Sequence, residues 1–372
     1  MRIGIPKETR QGELRVAGTP DFVKKMIKKG FKIIIESGAG INAGFSDNDF
    51  IESGGEIADK KSVFACDIVI KITRPSDDEI ALFKKDSILI CLMEPYLNDG
   101  FIEKLANANI NAFAMELIPR TSRAQSMDVL SSQANIAGYR AALEAAANYP
   151  RFFPVMMTSA GMAKAAKLIV LGAGVAGLQA IATARRLGAN VEAFDIRPEV
   201  KEQILSLGAK FIEIDVGESG AGEGGYAKEL SEEGKKRQQE LLMEKISKAD
   251  IVITTALVPG KKAPVLITED AVKKMRTGSV IVDMAAAQGG NCPLSEEDKI
   301  VKKHGVTIVG IVNYPSLVGA DSSLFYGNNI INLLALFIAS DKEGNVNINF
   351  NFEDDIIAAS MVTHNGSVRI KA

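Results

Sequence analysis

The sequence predicts an α/β protein made of two Rossmann-like, doubly wound parallel-sheet domains, linked by two long helices and closed by a C-terminal β-hairpin. Three observations carry that expectation. Short apolar runs alternate with amphipathic stretches along most of the chain, which is the pattern of βαβ units. The 372 residues exceed what one hydrophobic core ordinarily serves, so two domains are expected. A glycine-rich segment, Gly172-Ala173-Gly174-Val175-Ala176-Gly177, stands between an apolar run and an alanine-rich helical stretch.

In the first part of the chain, strands are expected at 3–5, 32–36, 67–71 and 87–91. The helix between the first two is well punctuated: Thr19 can cap it, Pro20 suits its first turn and Gly30 follows its last apolar position. The middle part offers strands at 167–171, 190–195, 210–214, 250–254, 279–283 and 307–310, a second doubly wound sheet. Two long helices, at about 126–148 and 321–339, separate the parts, and a cleft beside both is the expected meeting place of the domains. The boundaries read as 1–127 plus 328–372 for an outer, discontinuous domain and 128–327 for a central one. After the second long helix, Val346, Ile348, Phe350 and Phe352 alternate with polar residues as a strand does. Asn365-Gly366, between two short apolar runs, reads as a tight hairpin turn that packs the tail back on the outer domain.

Composition narrows the function classes. With 47% hydrophobic and 24% charged residues the chain is neither a disordered segment nor a membrane-embedded one. A net charge of -2 gives no global attraction to nucleic acid or anionic lipid. Cys66, Cys91 and Cys292 form no C-x-x-C pair, which argues against a metal site and a disulfide framework and fits a reducing cytoplasm. The opening Met1-Arg2-Ile3-Gly4-Ile5-Pro6 reads as a first strand and not as a signal peptide. The most apolar helix, around Ile330 to Ala339, is about half a bilayer span, so no direct membrane insertion is expected and any work at a membrane goes through another chain.

The G-x-G-x-x-G at Gly172, Gly174 and Gly177 follows a strand, opens a helix and precedes a second strand ending in Asp195, and together these read as a dinucleotide fingerprint. Gly172 permits the tight turn, Gly174 lets backbone approach a pyrophosphate, and Gly177 lets the helix pack closely. Asp195 is placed to accept hydrogen bonds from ribose hydroxyls and to repel a 2′-phosphate, which favours NAD over NADP. Arg197 either pairs with a phosphate or forms a surface salt bridge. Thr254 and Thr255 end a strand at the carboxyl edge, where ligands of open α/β sheets lie. Five glycines between 217 and 225, followed by Tyr226, make a flap over bound nucleotide or a solvated linker.

Acid–base machinery is sparse. Only two histidines are present; His304 is expected at a helix end before a strand and His364 at the hairpin turn, and neither adjoins the glycine segment in sequence. The other dense polar cluster runs from Pro119 to Asn135. Asp128 and Ser131 share a helix face there, while Arg120, Arg123 and Gln125 precede the helix on a loop at the expected cleft. These side chains either pair with phosphate, carboxylate and carboxamide groups or serve as helix caps.

With this cluster in view, the chain resembles the NAD(H)-binding component, often a separate alpha-type subunit, of proton-translocating nicotinamide nucleotide transhydrogenases, within the alanine dehydrogenase/transhydrogenase superfamily. The resemblance spans nearly the whole chain and rests on R-T-S-R-A-Q-S-M-D-V-L-S-S-Q-A-N-I-A-G-Y-R, G-A-G-V-A-G-L-Q-A-I-A-T-A, G-G-Y-A-K-E, T-T-A-L-V-P-G-K and G-G-N-C-P-L-S. It implies that Arg120, Gln125 and Asp128 reach the nicotinamide, with Ser131 just beyond. It also implies that Val175, Asp195, Ile196 and Arg197 line the adenosine side, that Gly225 and Tyr226 belong to a mobile loop, and that Gln238 and Leu257 contact the nucleotide. Thr121, Ser122, Arg123, Val170, Ala173, Thr255 and Ala256 complete the candidate cofactor-binding set. The implied reaction is direct hydride transfer between NAD(H) on this chain and NADP(H) on a partner subunit. It is coupled to proton translocation by a membrane subunit, with this chain a homodimer on the cytoplasmic face and inactive without its partners.

A hydride passing between two nicotinamides needs alignment and exclusion of water rather than an acid or base, which fits the scarcity of histidine. The enzyme-class rival is an alanine dehydrogenase, sharing Arg15 to Pro20 and Lys71. Against it, the segment from Ile90 to Pro95 lacks those enzymes' histidine, and Ala287 stands where they use aspartate. A non-enzymatic NAD(H)-binding protein is the other rival. The Leu92 to Asn98 segment departs from many transhydrogenase relatives.

Overall fold

The computed structural model describes residues 1–214, 231–257, 260, 262–340 and 346–370. Two compact units emerge: Met1–Gln133 with Pro315–Ala372, and Ala134–Tyr314.

The first unit is built on an eight-stranded sheet. Six parallel strands lie in the order Asn111–Ala114, Ile88–Cys91, Ile68–Ile70, Arg2–Ile5, Lys32–Glu36 and Glu56–Ala58. The winding reverses between Arg2–Ile5 and Ile68–Ile70, so the sheet is doubly wound. The C-terminal hairpin extends it: Met361–His364 pairs antiparallel with Asn111–Ala114, and Ser367–Val368 folds back on the outside. Asn365 and Gly366 both take positive φ, 47° and 74°, the conformation a two-residue hairpin turn requires. Thr19 caps the helix Pro20–Ile27 as its position predicts. The buried face of the helix Gly319–Phe337 supplies Tyr326, Ile330 and Leu333 to the same core as Ile3, Ile35 and Ile70.

At the reversal point of this sheet the chain fills the crevice with its own side chain. Buried Glu8, just past the strand Arg2–Ile5, accepts the N–H groups of Ile72 (2.6 Å) and Thr73 (3.3 Å) and the Thr73 hydroxyl (2.6 Å). Buried Lys71 lies 3.5 Å from it, and the Tyr326 hydroxyl donates to the Lys71 carbonyl.

The second unit holds a seven-stranded sheet in the order Lys210–Phe211, Asn190–Phe194, Lys167–Leu171, Ile251–Thr254, Val280–Asp283, Val306–Val309 and Ile300–Lys303. All but the last are parallel. Both faces are covered, which is why these strands read as unbroken apolar runs. A separate two-stranded hairpin, Met156–Thr158 with Gly161–Ala163, stands outside the sheet.

Several elements differ from the sequence reading. His304 is not at a helix end: it forms, with Gly305, the positive-φ turn between the antiparallel strands Ile300–Lys303 and Val306–Val309. The strand expected at 210–214 is only Lys210–Phe211. The long helices begin and end elsewhere. Val129–Asn148 is preceded by the 3₁₀ turn Ser122–Met127, and Gly319–Phe337 gives way to the strand Ile338–Ser340. Of the alternating tail only Val346–Ile348 is strand; Phe350 leaves the ladder to pack 5.1 Å from Phe337 and 5.8 Å from Phe113. Aromatic burial outweighs continued pairing there. The strands Glu56–Ala58, Asn111–Ala114 and Ile300–Lys303 and the hairpin at 156–163 were not anticipated.

Candidate functional site

The glycine turn sits at the carboxyl end of Lys167–Leu171, where the order of the second sheet reverses toward Ile251–Thr254. Gly172 has φ 96°, and a Cβ there would meet the Thr255 hydroxyl at 2.6 Å. That hydroxyl donates to the Gly172 carbonyl (3.0 Å) and the Thr255 N–H to Leu171 (2.9 Å), so Thr255 stitches the turn to the neighbouring strand. At Gly177 a Cβ would lie 1.9 Å from the Gly172 carbonyl oxygen, which only glycine avoids. Gly174 is different: nothing lies within 4 Å of its Cβ position, and it N-caps the helix Val175–Arg186 without any side-chain cap. The first-turn N–H groups are therefore left for an outside acceptor at the positive end of the helix dipole. This cradle fits a pyrophosphate.

Asp195, at the end of the adjacent strand, is buried and receives four bonds. The Ala173 N–H donates at 2.7 Å, and from Arg197 the backbone N–H, Nε and Nη2 donate at 2.9, 3.0 and 2.9 Å. Burial alone would push its carboxyl up; the bonds from Arg197 and Ala173 outweigh that and hold it below the ordinary aspartate value. Of the two readings of Arg197, the structure contains the salt bridge, made to Asp195 itself. Around this edge three apolar side chains are exposed: Val175 (41%), Ile196 (81%) and Leu257 (45%). They follow three neighbouring strands and could wall a flat ring. Ala173 is buried, Val170 is sealed in the core with its backbone paired on both sides, and Gln238 is half-buried on the helix Glu232–Ser247. Gly225, Tyr226 and the rest of the expected flap lie outside the described residues.

The polar cluster belongs to the first unit. Arg123 is committed to the helix Asp355–Ser360, binding Asp354 at 2.7 and 2.8 Å and also Asp355. Asn329 and Asn332 both donate to the Ser126 carbonyl, at 2.8 and 3.0 Å. Asp128 caps the long helix, accepting the Ser131 N–H (2.9 Å) and hydroxyl (2.6 Å). Thr121, Ser122, Arg120 and Gln125 are exposed on this clamped segment.

Sequence reasoning missed the groups that hold the second sheet's edge in shape. Fully buried Asp283 accepts from the Thr254 hydroxyl (3.1 Å), the N–H groups of Ala285 (3.0 Å), Asn291 (3.1 Å) and Cys292 (2.9 Å), and the Ser295 hydroxyl (2.6 Å). Asn291 in turn donates to the Ala256 carbonyl at 2.9 Å. An aspartate ending a strand ahead of Gly289-Gly290-Asn291 was the available signal. Gly138 was missed too: a Cβ there would lie 2.0 Å from the Ala176 carbonyl oxygen on the glycine helix. Each histidine is bonded within its own unit. The ring of His304 lies 2.9 Å from Glu269, beside the amino end of Val306–Val309, and that of His364 lies 3.0 Å from Asn111 in the first unit. No metal-binding cluster occurs among the described residues, nor is any of their helices long and apolar enough to cross a membrane.

Comparison with known proteins agrees with this architecture. Residues 4–137 match the alanine dehydrogenase/PNT N-terminal domain and 141–371 the alanine dehydrogenase/PNT C-terminal domain. The chain is 48% identical to an NAD(P) transhydrogenase alpha subunit of Rhodospirillum rubrum, over 99% of this chain and 97% of that one. The transhydrogenase structure from Sinorhizobium meliloti superposes with a TM-score of 0.86 at 41% identity, covering 99% of this chain and 98% of that one. Alanine dehydrogenase 1 of Staphylococcus aureus is 30% identical, over 87% of this chain and 84% of its own. The chain thus belongs to the alanine dehydrogenase/PNT family, and within it to the NAD(P) transhydrogenase alpha subunits.

Proposed function

We propose that this chain is the NAD(H)-binding subunit of a proton-translocating transhydrogenase, exchanging a hydride directly with NADP(H) on a partner subunit. The observation that carries the reading is the uncapped helix at Gly174 beside an ionised, NAD-type acid, in a chain nearly half identical to a transhydrogenase subunit along its length. The nicotinamide ring, when bound, supplies the carbon that gives or takes the hydride. The N–H groups at the start of Val175–Arg186 hold the pyrophosphate. Asp195 receives the ribose hydroxyls; a carboxylate has about four acceptor positions, so the half-exposed Arg197 guanidinium turns away as they arrive. Arg120, Gln125 and Asp128 orient the nicotinamide, Asp128 being fixed in turn by Ser131. No step requires a proton on this chain, consistent with both histidine rings being engaged by neighbouring side chains, Glu269 and Asn111.

One further feature supports the assembly. The hairpin at 156–163 carries Met157 and Met162 at 73% and 60% exposure, beside exposed Phe152 and Val155. An isolated two-stranded hairpin is marginal in water, so a second copy of the chain covering it gives the homodimer. Proton coupling resides in a membrane-spanning partner subunit, with this chain peripheral on its cytoplasmic face.

The test mixes the purified chain with an NADP(H)-binding transhydrogenase domain and follows reduction of an NAD analogue by NADPH. Exchange that needs both proteins is expected. L-alanine-dependent NADH formation by the chain alone would instead make it an alanine dehydrogenase, and nucleotide binding without exchange would leave it a sensor.

A further inference from the structure

The second unit has a concavity of about 400 Å³ at the edge opposite the glycine turn. It opens beside Lys167, the first residue of the strand that ends at Leu171, so about 13 Å of strand lies between the two places at ~3.3 Å per residue. Lys167, Arg185, Lys210, Lys245 and Lys248 converge on it, and among the described residues Glu192 is the one acidic side chain of its wall.

Many cations elsewhere on this chain are neutralised locally: Lys25 by Asp21, Lys84 by Asp67, Lys104 by Asp77. Among the described residues only Lys248 of the concavity has such a partner, Glu244 at 2.6 Å. Lys167, Arg185, Lys210 and Lys245 form no ion pair among the described residues, although Lys210 stands opposite Glu192 in the strand ladder. Among the described residues, four cations without an ion pair thus face one carboxylate, on a chain whose net charge is -2. Arg185 reaches the concavity past Gly208. Its guanidinium lies against the backbone of Gly208, where a Cβ would come within 3.0 Å of Nη2 and 3.1 Å of Cζ. A glycine at φ 77° therefore keeps the seat of that arginine clear.

Like charges gathered around one hollow repel each other when it is empty, and an anion of matching charge removes that cost while accepting charge-assisted hydrogen bonds. The volume is that of a small-ligand site. We infer that this concavity binds a soluble small molecule bearing two or more phosphate groups, at a site separate from the glycine turn.

Calorimetric titration of the full chain with sodium tripolyphosphate in about 0.15 M salt tests this, with phosphatidylglycerol vesicles as a parallel arm. Saturable binding is expected, and Lys210→Glu with Lys245→Glu should raise the half-saturating concentration about tenfold or more, circular dichroism being unchanged. Should that charge reversal fail to fold, Lys210→Gln with Lys245→Gln carries the same comparison. Absence of tripolyphosphate binding, binding unaltered by the substitutions, as capture at the glycine turn would give, or binding of vesicles alone would each overturn the proposal.

Discussion

The four donors gathered on Asp195 make its charge state and its occupancy inseparable. Asp195→Asn removes the ionised acceptor and the repulsion that disfavours a 2′-phosphate. It should weaken NADH binding about tenfold and narrow the gap to NADPH, as competitive titration of the two nucleotides would measure; unchanged affinities would remove Asp195 from the site. Gly177→Ala tests sterics in place of charge. Its new methyl falls 1.9 Å from the Gly172 oxygen, so a loss of roughly 1–3 kcal/mol in urea unfolding is expected. Asp283 carries no expected ligand contact yet satisfies five donors around the strand ends. Asp283→Ala strands those donors and should cost at least about 3 kcal/mol.

The 3₁₀ turn Ser122–Met127 owes its shape to the elements on either side of it, and one of those attachments titrates. Hydrogen bonds from Arg123 hold the Asp354 carboxyl at about 2, below its ordinary 3.8. A carboxyl lowered in the folded state stabilises wherever it is ionised: its contribution is complete above about pH 4 and fades as pH falls toward 2. The thermal midpoints of the wild type and Asp354→Asn should therefore differ by a constant amount above pH 4 and converge below it. At this scale local signals were readable where chemistry and neighbours in sequence coincide. Thr19-Pro20 starts a helix and Asn365-Gly366 turns a hairpin because cap and turn are satisfied within a few residues. His304 was misplaced since its turn joins Ile300–Lys303, a four-residue strand whose exposed and half-buried residues include two lysines and show no buried run. Glu56–Ala58 is a three-residue edge strand, too short to show a period.

Across the molecule, both sheets share one winding scheme, and apolar runs alternating with helices were enough to predict it. The glycine turn was legible because its three glycines are nearly consecutive. Glu8 was not, because Ile72 and Thr73 stand 64 and 65 positions away and only the fold brings them near; Asp283 was missed because three of its five donors are backbone N–H groups, which no residue type announces. The exposed hairpin bears on assembly: Met157→Asp with Met162→Asp should shift the chain from dimer to monomer in sedimentation, and an unchanged mass would move the interface elsewhere. The common winding also offers two crevices where a phosphate-bearing ligand could lodge, but the first is already plugged by the Glu8 carboxylate, bonded to Ile72 and Thr73. A nucleotide arriving there would meet a fixed negative charge in place of free amides. Equilibrium dialysis of the Lys210→Glu, Lys245→Glu chain at saturating NADH, with the basic concavity disabled, should accordingly count a single equivalent per polypeptide, although the architecture repeats.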